Sequence, residues 1–79
     1  MRYDAVLLDD LGVLSATADG SLLPYVLELR ARRLGVEPAR CIVVDDLAAN
    51  VRGAVAAGMT GVHHVALERT MQELAALLV

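Results

Sequence analysis

Three short apolar runs limit what this chain can become. They are Ala5-Val6-Leu7-Leu8, Cys41-Ile42-Val43-Val44 and Gly61-Val62-His63-His64-Val65-Ala66, and the first two run straight into paired aspartates, Asp9-Asp10 and Asp45-Asp46. Their apolar character is continuous rather than alternating, the pattern of strands buried on both faces of a parallel sheet. Parallel neighbours need long crossover connections, usually helical, and the intervening segments do read as helices. From Pro24 to Leu34, apolar Val26, Leu27, Leu29 and Leu34 oppose Arg30, Arg32 and Arg33, with Pro24 suited to a first turn and Gly35 to the position past the last. A second helix is predicted from about Ala48 to Ala57, closed by Gly58. A third is predicted from Thr70, where Thr70-Met71-Gln72-Glu73 matches a capping box and Met71, Leu74, Ala75 and Leu78 supply an apolar stripe. The predicted fold class is therefore α/β, a small three-stranded parallel sheet with about three helices in β-α-β-α-β-α order. The sizeable loop from Leu14 to Leu23 leaves the first strand at the edge where open α/β sheets place ligands.

Composition narrows the function classes. The chain has 79 residues, room for one domain, 1–79. A chain of this size hides only about 60% of its unfolded surface, yet 57% of its residues are hydrophobic, which excludes intrinsic disorder. The longest uncharged stretch, Gly53 to Leu67, contains Gly58, Gly61, His63 and His64, so no membrane partner is expected. Asp4, Asp9 and Asp10 interrupt the first apolar run, unlike a secretory signal. A single cysteine, Cys41, excludes an internal disulfide and fits a cytoplasmic setting. The formal charge of −3 argues against nucleic acid as a partner, with Arg30, Arg32 and Arg33 the one basic cluster.

The chemistry points to the aspartates. Both pairs fall at the carboxyl ends of predicted strands, so parallel pairing lines Asp9, Asp10, Asp45 and Asp46 along one rim. Successive strand residues face opposite ways, so one acid of each pair can aim at a common point. Converging carboxylates repel unless a cation lies between them, and hard oxygen donors select Mg²⁺ over Zn²⁺. The plainer alternative is that these acids solvate strand ends or cap the next helix, as Asp46 could. His63 and His64, adjacent on a predicted strand, make a poor ligand pair, and Cys41 reads as a core thiol.

These residues also resemble a known family. Val6-Leu7-Leu8-Asp9-Asp10-Leu11-Gly12-Val13-Leu14 is similar to the first motif of the haloacid dehalogenase-like (HAD) hydrolases, a strand followed by DxDG(V/T)L. Leu34-Gly35-Val36-Glu37-Pro38-Ala39-Arg40-Cys41-Ile42-Val43-Val44-Asp45-Asp46, continuing through Leu47 to Met59, resembles the approach to the family's fourth motif and the helix after it. The resemblance implies a minimal HAD-type, Rossmann-like core without a cap. It implies a Mg²⁺-dependent phosphatase acting on a small phosphorylated metabolite through an aspartyl-phosphate. Asp9 would be the nucleophile, and Mg²⁺ would be held by Asp9, the backbone carbonyl of Leu11 and Asp46, with Asp45 supporting.

The sequence departs from that pattern in four places. Leu11 stands where the family's second aspartate moves a proton. The motif-two serine or threonine is missing. Ser21, in Gly20-Ser21-Leu22-Leu23-Pro24, falls where the motif-three lysine is expected, and the chain has no lysine at all. The cap is absent. Catalysis is therefore expected to be impaired, in a truncated member of the family. The alternatives are a non-catalytic Mg²⁺-binding or interaction module and, less favoured, a receiver-like domain, which needs a later phosphoacceptor aspartate and a lysine that this chain lacks. The family's strand order would set the three strands side by side, with the first two helices on one face and the last on the other. The first strand's free edge would then invite self-association or a partner chain.

Overall fold

The computed structural model describes residues 2–8 and 23–79. Asp9, Asp10, Leu11 and most of the predicted loop from Leu14 to Leu23 lie outside that set. The element order is β1 (Ala5–Leu8), α1 (Leu23–Leu34), a short 3-10 turn (Pro38–Arg40), β2 (Cys41–Asp45), α2 (Ala48–Ala56), β3 (Thr60–His63) and α3 (Leu67–Leu77). The strands form one parallel sheet in the order β1-β2-β3. This is the α/β, three-stranded parallel arrangement that the apolar runs predict.

Strand alternation sorts the core into two halves. Cys41 and Val43 join Leu27 and Ala31 of α1, Ala54 of α2 and Met59, with Ala5 and Leu7 packed alongside. Ile42, Val44 and Val62 face the other way, against Tyr3 and against Leu74 and Leu77 of α3. Among the described residues, two helices thus cover one face and a single helix covers the other. Among the described strands β2 alone is buried along its whole length; on β1, Val6 and Leu8 are exposed.

The ends of α1 and α2 have the same construction. Gly35 (φ +69°) and Gly58 (φ +87°) occupy the left-handed region that side-chain-bearing residues avoid. Gly35 donates to Arg32 and Val36 to Ala31; likewise Gly58 donates to Val55 and Met59 to Ala54. Each is the paired hydrogen bond of a Schellman motif, with an apolar contact closing it.

Three expectations need correction. β3 is Thr60–His63, not Gly61 to Ala66, because the chain turns toward α3 after its last rung, where the His64 amide donates to the Asp45 carbonyl at 2.8 Å. α3 begins at Leu67 rather than Thr70, after an extended Ala66 with no side-chain cap, so the predicted capping box is not used. Thr70 instead lies inside the helix, and the face toward the sheet is Thr70, Leu74 and Leu77, while Met71 and Leu78 are exposed. On α1, Leu27 and Ala31 form the buried stripe, and Leu29 and Leu34 lie outside it. Leu27 and Ala31 are one helical turn apart and meet the sheet together; Leu29 is rotated away from them.

Candidate functional site at the carboxyl rim of the sheet

β2 ends at Asp45, whose side chain continues the alternation and turns toward α2. It is only 2% exposed. Its Oδ1 accepts the Leu47 amide and its Oδ2 accepts Asn50 Nδ2, both at 2.8 Å. A buried carboxylate is costly unless donors surround it, and these two charge-assisted bonds meet that demand. They also satisfy an amide at the start of α2, where Leu47 supplies no side-chain cap. Asp45, not Asp46, is thus the acid that builds the helix start.

Asp46 takes the opposite situation. Its side chain is exposed, and its backbone carbonyl lies 2.9 Å from His63 Nε2, tying the turn to the end of β3. The next residue, His64, places Nδ1 2.6 Å from Thr70 Oγ1, linking β3 to α3. Thr70 is 5% exposed, so this hydroxyl is held in the interior.

These residues surround a groove of about 710 Å³ on the α3 side of the rim. Leu8, Leu47, Met71 and Leu74 give it an apolar lining, and Asp45, Asp46, His64 and Thr70 bring the polar groups to one end. Leu8 is paired in register with Val44, so the groove opens where β1 and β2 both end. Of the site residues predicted from sequence, Asp45 and Asp46 come together here; Asp9 and the Leu11 carbonyl lie outside the described residues.

The donor chemistry on the rim is hard oxygen, as Mg²⁺ prefers. Asp46 offers an exposed carboxylate, whereas each Asp45 oxygen is already engaged. Among the described residues no group of three or more His, Cys, Asp or Glu side chains could hold a metal ion.

Sequence reasoning missed His64, Thr70 and Asn50. Asn50 had a signal: it lies five residues after Asp45 and in the first turn of the helix, within reach of a carboxylate at the strand end. His64 and Thr70 had none, since their contact depends on where α3 starts.

The other ionisable contacts hold the fold. Asp4 receives two hydrogen bonds from Arg40, at 2.5 Å from Nε and 2.9 Å from Nη2, and they hold its carboxyl below the usual range. Cys41 is buried, with Sγ 3.5 Å from the Glu37 carbonyl; burial, and then the charge of Asp4, push its thiol up. That is the environment of an inert core thiol.

Comparison with known proteins adds a local and a global likeness. A CBBY-like protein of Arabidopsis thaliana is 49% identical over 37 residues, which is 47% of this chain but 12% of the plant protein. A solved structure of an uncharacterized protein from Corynebacterium glutamicum superimposes with a TM-score of 0.56 at 24% identity, over 98% of this chain and 94% of that one. The second likeness is one of fold alone, between chains that match over nearly their whole lengths. No protein-family profile matches the chain.

Among the described residues, no helix is long and apolar enough to cross a membrane.

Proposed function

We propose that the carboxyl rim is a phosphate-handling site of the haloacid dehalogenase-like kind, working with Mg²⁺ in a cytoplasmic setting on a small phosphorylated metabolite. The observation that carries this reading is the division of labour in the second acidic pair. Asp45 is buried and commits both oxygens to the turn, while Asp46 is left exposed at the mouth of a groove beside the end of β1. In this reading Asp9 would attack phosphorus, Asp9, Asp46 and the Leu11 carbonyl would hold the metal, and Asp45 would keep Asp46 in place. Bound there, Mg²⁺ would offset the charge of phosphate and carboxylates. Leu11 can transfer no proton, so hydrolysis is slow compared with an enzyme that has an acid at that position.

The test is Mg²⁺-dependent hydrolysis of para-nitrophenyl phosphate by this chain and by Asp9→Asn. The variant should lose essentially all turnover; equal rates would end the nucleophile assignment. Mg²⁺ should also raise the thermal midpoint, since an ion bound only by the folded state stabilises it, and Asp46→Asn should remove that rise.

A second reading has its own observation. β1 pairs only with β2 among the described residues, and its Val6 and Leu8 side chains are exposed, Leu8 at 63%. An apolar edge strand favours pairing with another chain, so the protein would be an interaction module that self-associates or binds a partner. Sedimentation across a hundredfold range of concentration tests self-association: a shift toward dimer supports it, and a constant monomer mass rejects it.

A further inference from the structure

The rim carries two acids and the chain contains no lysine, so an anion entering the groove needs its donor from elsewhere. Among the described side chains lining the groove, His64 is the one able to present an N–H or a positive charge. Its ring is held at one nitrogen only: Nδ1 lies 2.6 Å from Thr70 Oγ1, and Nε2 has no partner among the described residues.

The partner at Nδ1 decides what Nε2 presents. Thr70 is nearly fully buried, and its hydroxyl hydrogen has no acceptor among the described residues other than His64 Nδ1. If the hydroxyl donates to Nδ1, the neutral ring carries its proton on Nε2. If the ring is protonated, both nitrogens are donors. The remaining state, a neutral ring with its proton on Nδ1, leaves the buried hydroxyl hydrogen without an acceptor, which is disfavoured. The favoured neutral state therefore presents an N–H at Nε2, and a charged ring, although it leaves the hydroxyl hydrogen equally unpaired, presents one there too.

We infer that His64 is the anion-binding residue of the groove, donating from Nε2 to a phosphate oxygen, and that Thr70 is the positioning residue that fixes its tautomer. The inference rests on the phosphate-site reading above and names the residue that takes the part left open by the missing lysine. It does not depend on turnover, because the hydrogen bond forms with phosphate itself. A charged or charge-assisted donor of this kind is a strong single contact, and its loss should weaken binding roughly tenfold.

The experiment titrates the full chain, labelled with ¹⁵N-histidine, with inorganic phosphate in the presence of Mg²⁺. His64 Nε2 should show a saturable shift much larger than that of His63, whose Nε2 lies against the Asp46 carbonyl. Before phosphate is added, the ¹⁵N pattern should show a protonated Nε2, and Thr70→Val should blur that preference. His64→Gln keeps a donor near the Nε2 position and should keep most of the affinity. His64→Asn does not and should lose about tenfold. Arg33→Gln, on α1 and so across the sheet, should change nothing. Absence of a saturable shift at His64, or equal affinity in His64→Asn, overturns the inference; because the first result comes from the unmodified chain, an unfolded variant cannot hide it. The two readings fail separately. Phosphate shifting His64 while Asp9→Asn turns over normally removes the nucleophile and keeps the anion site, and Asp9-dependent turnover with an unperturbed His64 does the reverse.

Discussion

The two faces of the sheet use the same strand residues in alternation and end up unlike each other. On one, α1 and α2 enclose Cys41 and Val43 completely, and Leu27, Ala31 and Ala54 are fully buried. On the other, among the described residues, Tyr3 and the half-buried Leu74 and Leu77 of α3 reach Ile42, Val44 and Val62, with a groove beside them. A two-crossover chain with its strands in sequence order places both crossover helices together. Among the described residues, α3 is then the one helix on the other face. The closed face holds the fold, and the open face is where the rim residues meet solvent.

Truncation of equivalent leucines tests that difference most severely. Leu27→Ala removes a fully buried side chain from the closed face and should cost about 3 kcal/mol, whereas Leu74→Ala on the open face should cost about 1 kcal/mol because the site can relax into the groove. Urea unfolding of both variants gives the comparison directly. Equal losses would mean that the open face is packed as tightly as the closed one. A chain of this size has on the order of 4–12 kcal/mol in all, so the first variant should be visibly destabilised.

Asp45→Ala should come close behind. It strips partners from the Leu47 amide and from the buried Asn50 amide, for a loss of about 2–3 kcal/mol. Hydrogen exchange should locate the damage, with the Leu47 amide and the first turn of α2 losing protection before α3 does. Uniform loss of protection would show that Asp45 serves the whole fold and not the rim turn.

Gly61 sharpens the contrast from the closed side. It pairs with Val43, so its missing side chain would point at α2, and a Cβ there would lie 2.7 Å from Val51 Cγ1 and 3.1 Å from the Val51 carbonyl. A side-chain methyl can rotate away, but the helix backbone has to move. Gly61→Ala should therefore cost about 2 kcal/mol by overpacking, read as a lowered urea midpoint. An unchanged midpoint would show α2 free to shift outward.

Much of this was legible in the sequence, and what was not has a physical reason. The continuous run at Cys41 to Val44 specified a strand buried on both sides, and Gly35 and Gly58 marked the helix ends because left-handed backbone has a recognisable residue. The start of α3 was not legible. Thr70-Met71-Gln72-Glu73 fits a capping box, yet a buried hydroxyl facing His64 competes for the same threonine, and that competition is decided by packing across the rim. The role of Asp45 was half legible: its place at the strand end could be read, but alternation sent it toward Asn50, leaving the solvent side of the rim to Asp46. His64 read as an ordinary strand residue because β3 was expected to run on to Ala66.

The smallest effect belongs to the end of the sheet away from the rim, where Asp4 and Arg40 tie the start of β1 to the start of β2 on the exposed surface. The hydrogen bonds from Arg40, and then its charge, hold the Asp4 carboxyl below its ordinary value. A carboxyl depressed in the folded state binds its proton less readily there than in the unfolded chain. Its contribution is therefore complete above the ordinary carboxylate range and declines as pH falls through the lowered folded value. Asp4→Asn should lower the thermal midpoint slightly at pH 7, and the gap between variant and parent should close as the pH is taken below the ordinary carboxylate range. High salt should narrow the gap at pH 7 as well, because exposed pairs are screened. The same salt should leave Asp45→Ala unchanged relative to its parent, since both Asp45 contacts are with neutral donors in a buried site. If salt moved both gaps equally, the distinction between an exposed fastening at one end and a buried organiser at the other would be lost.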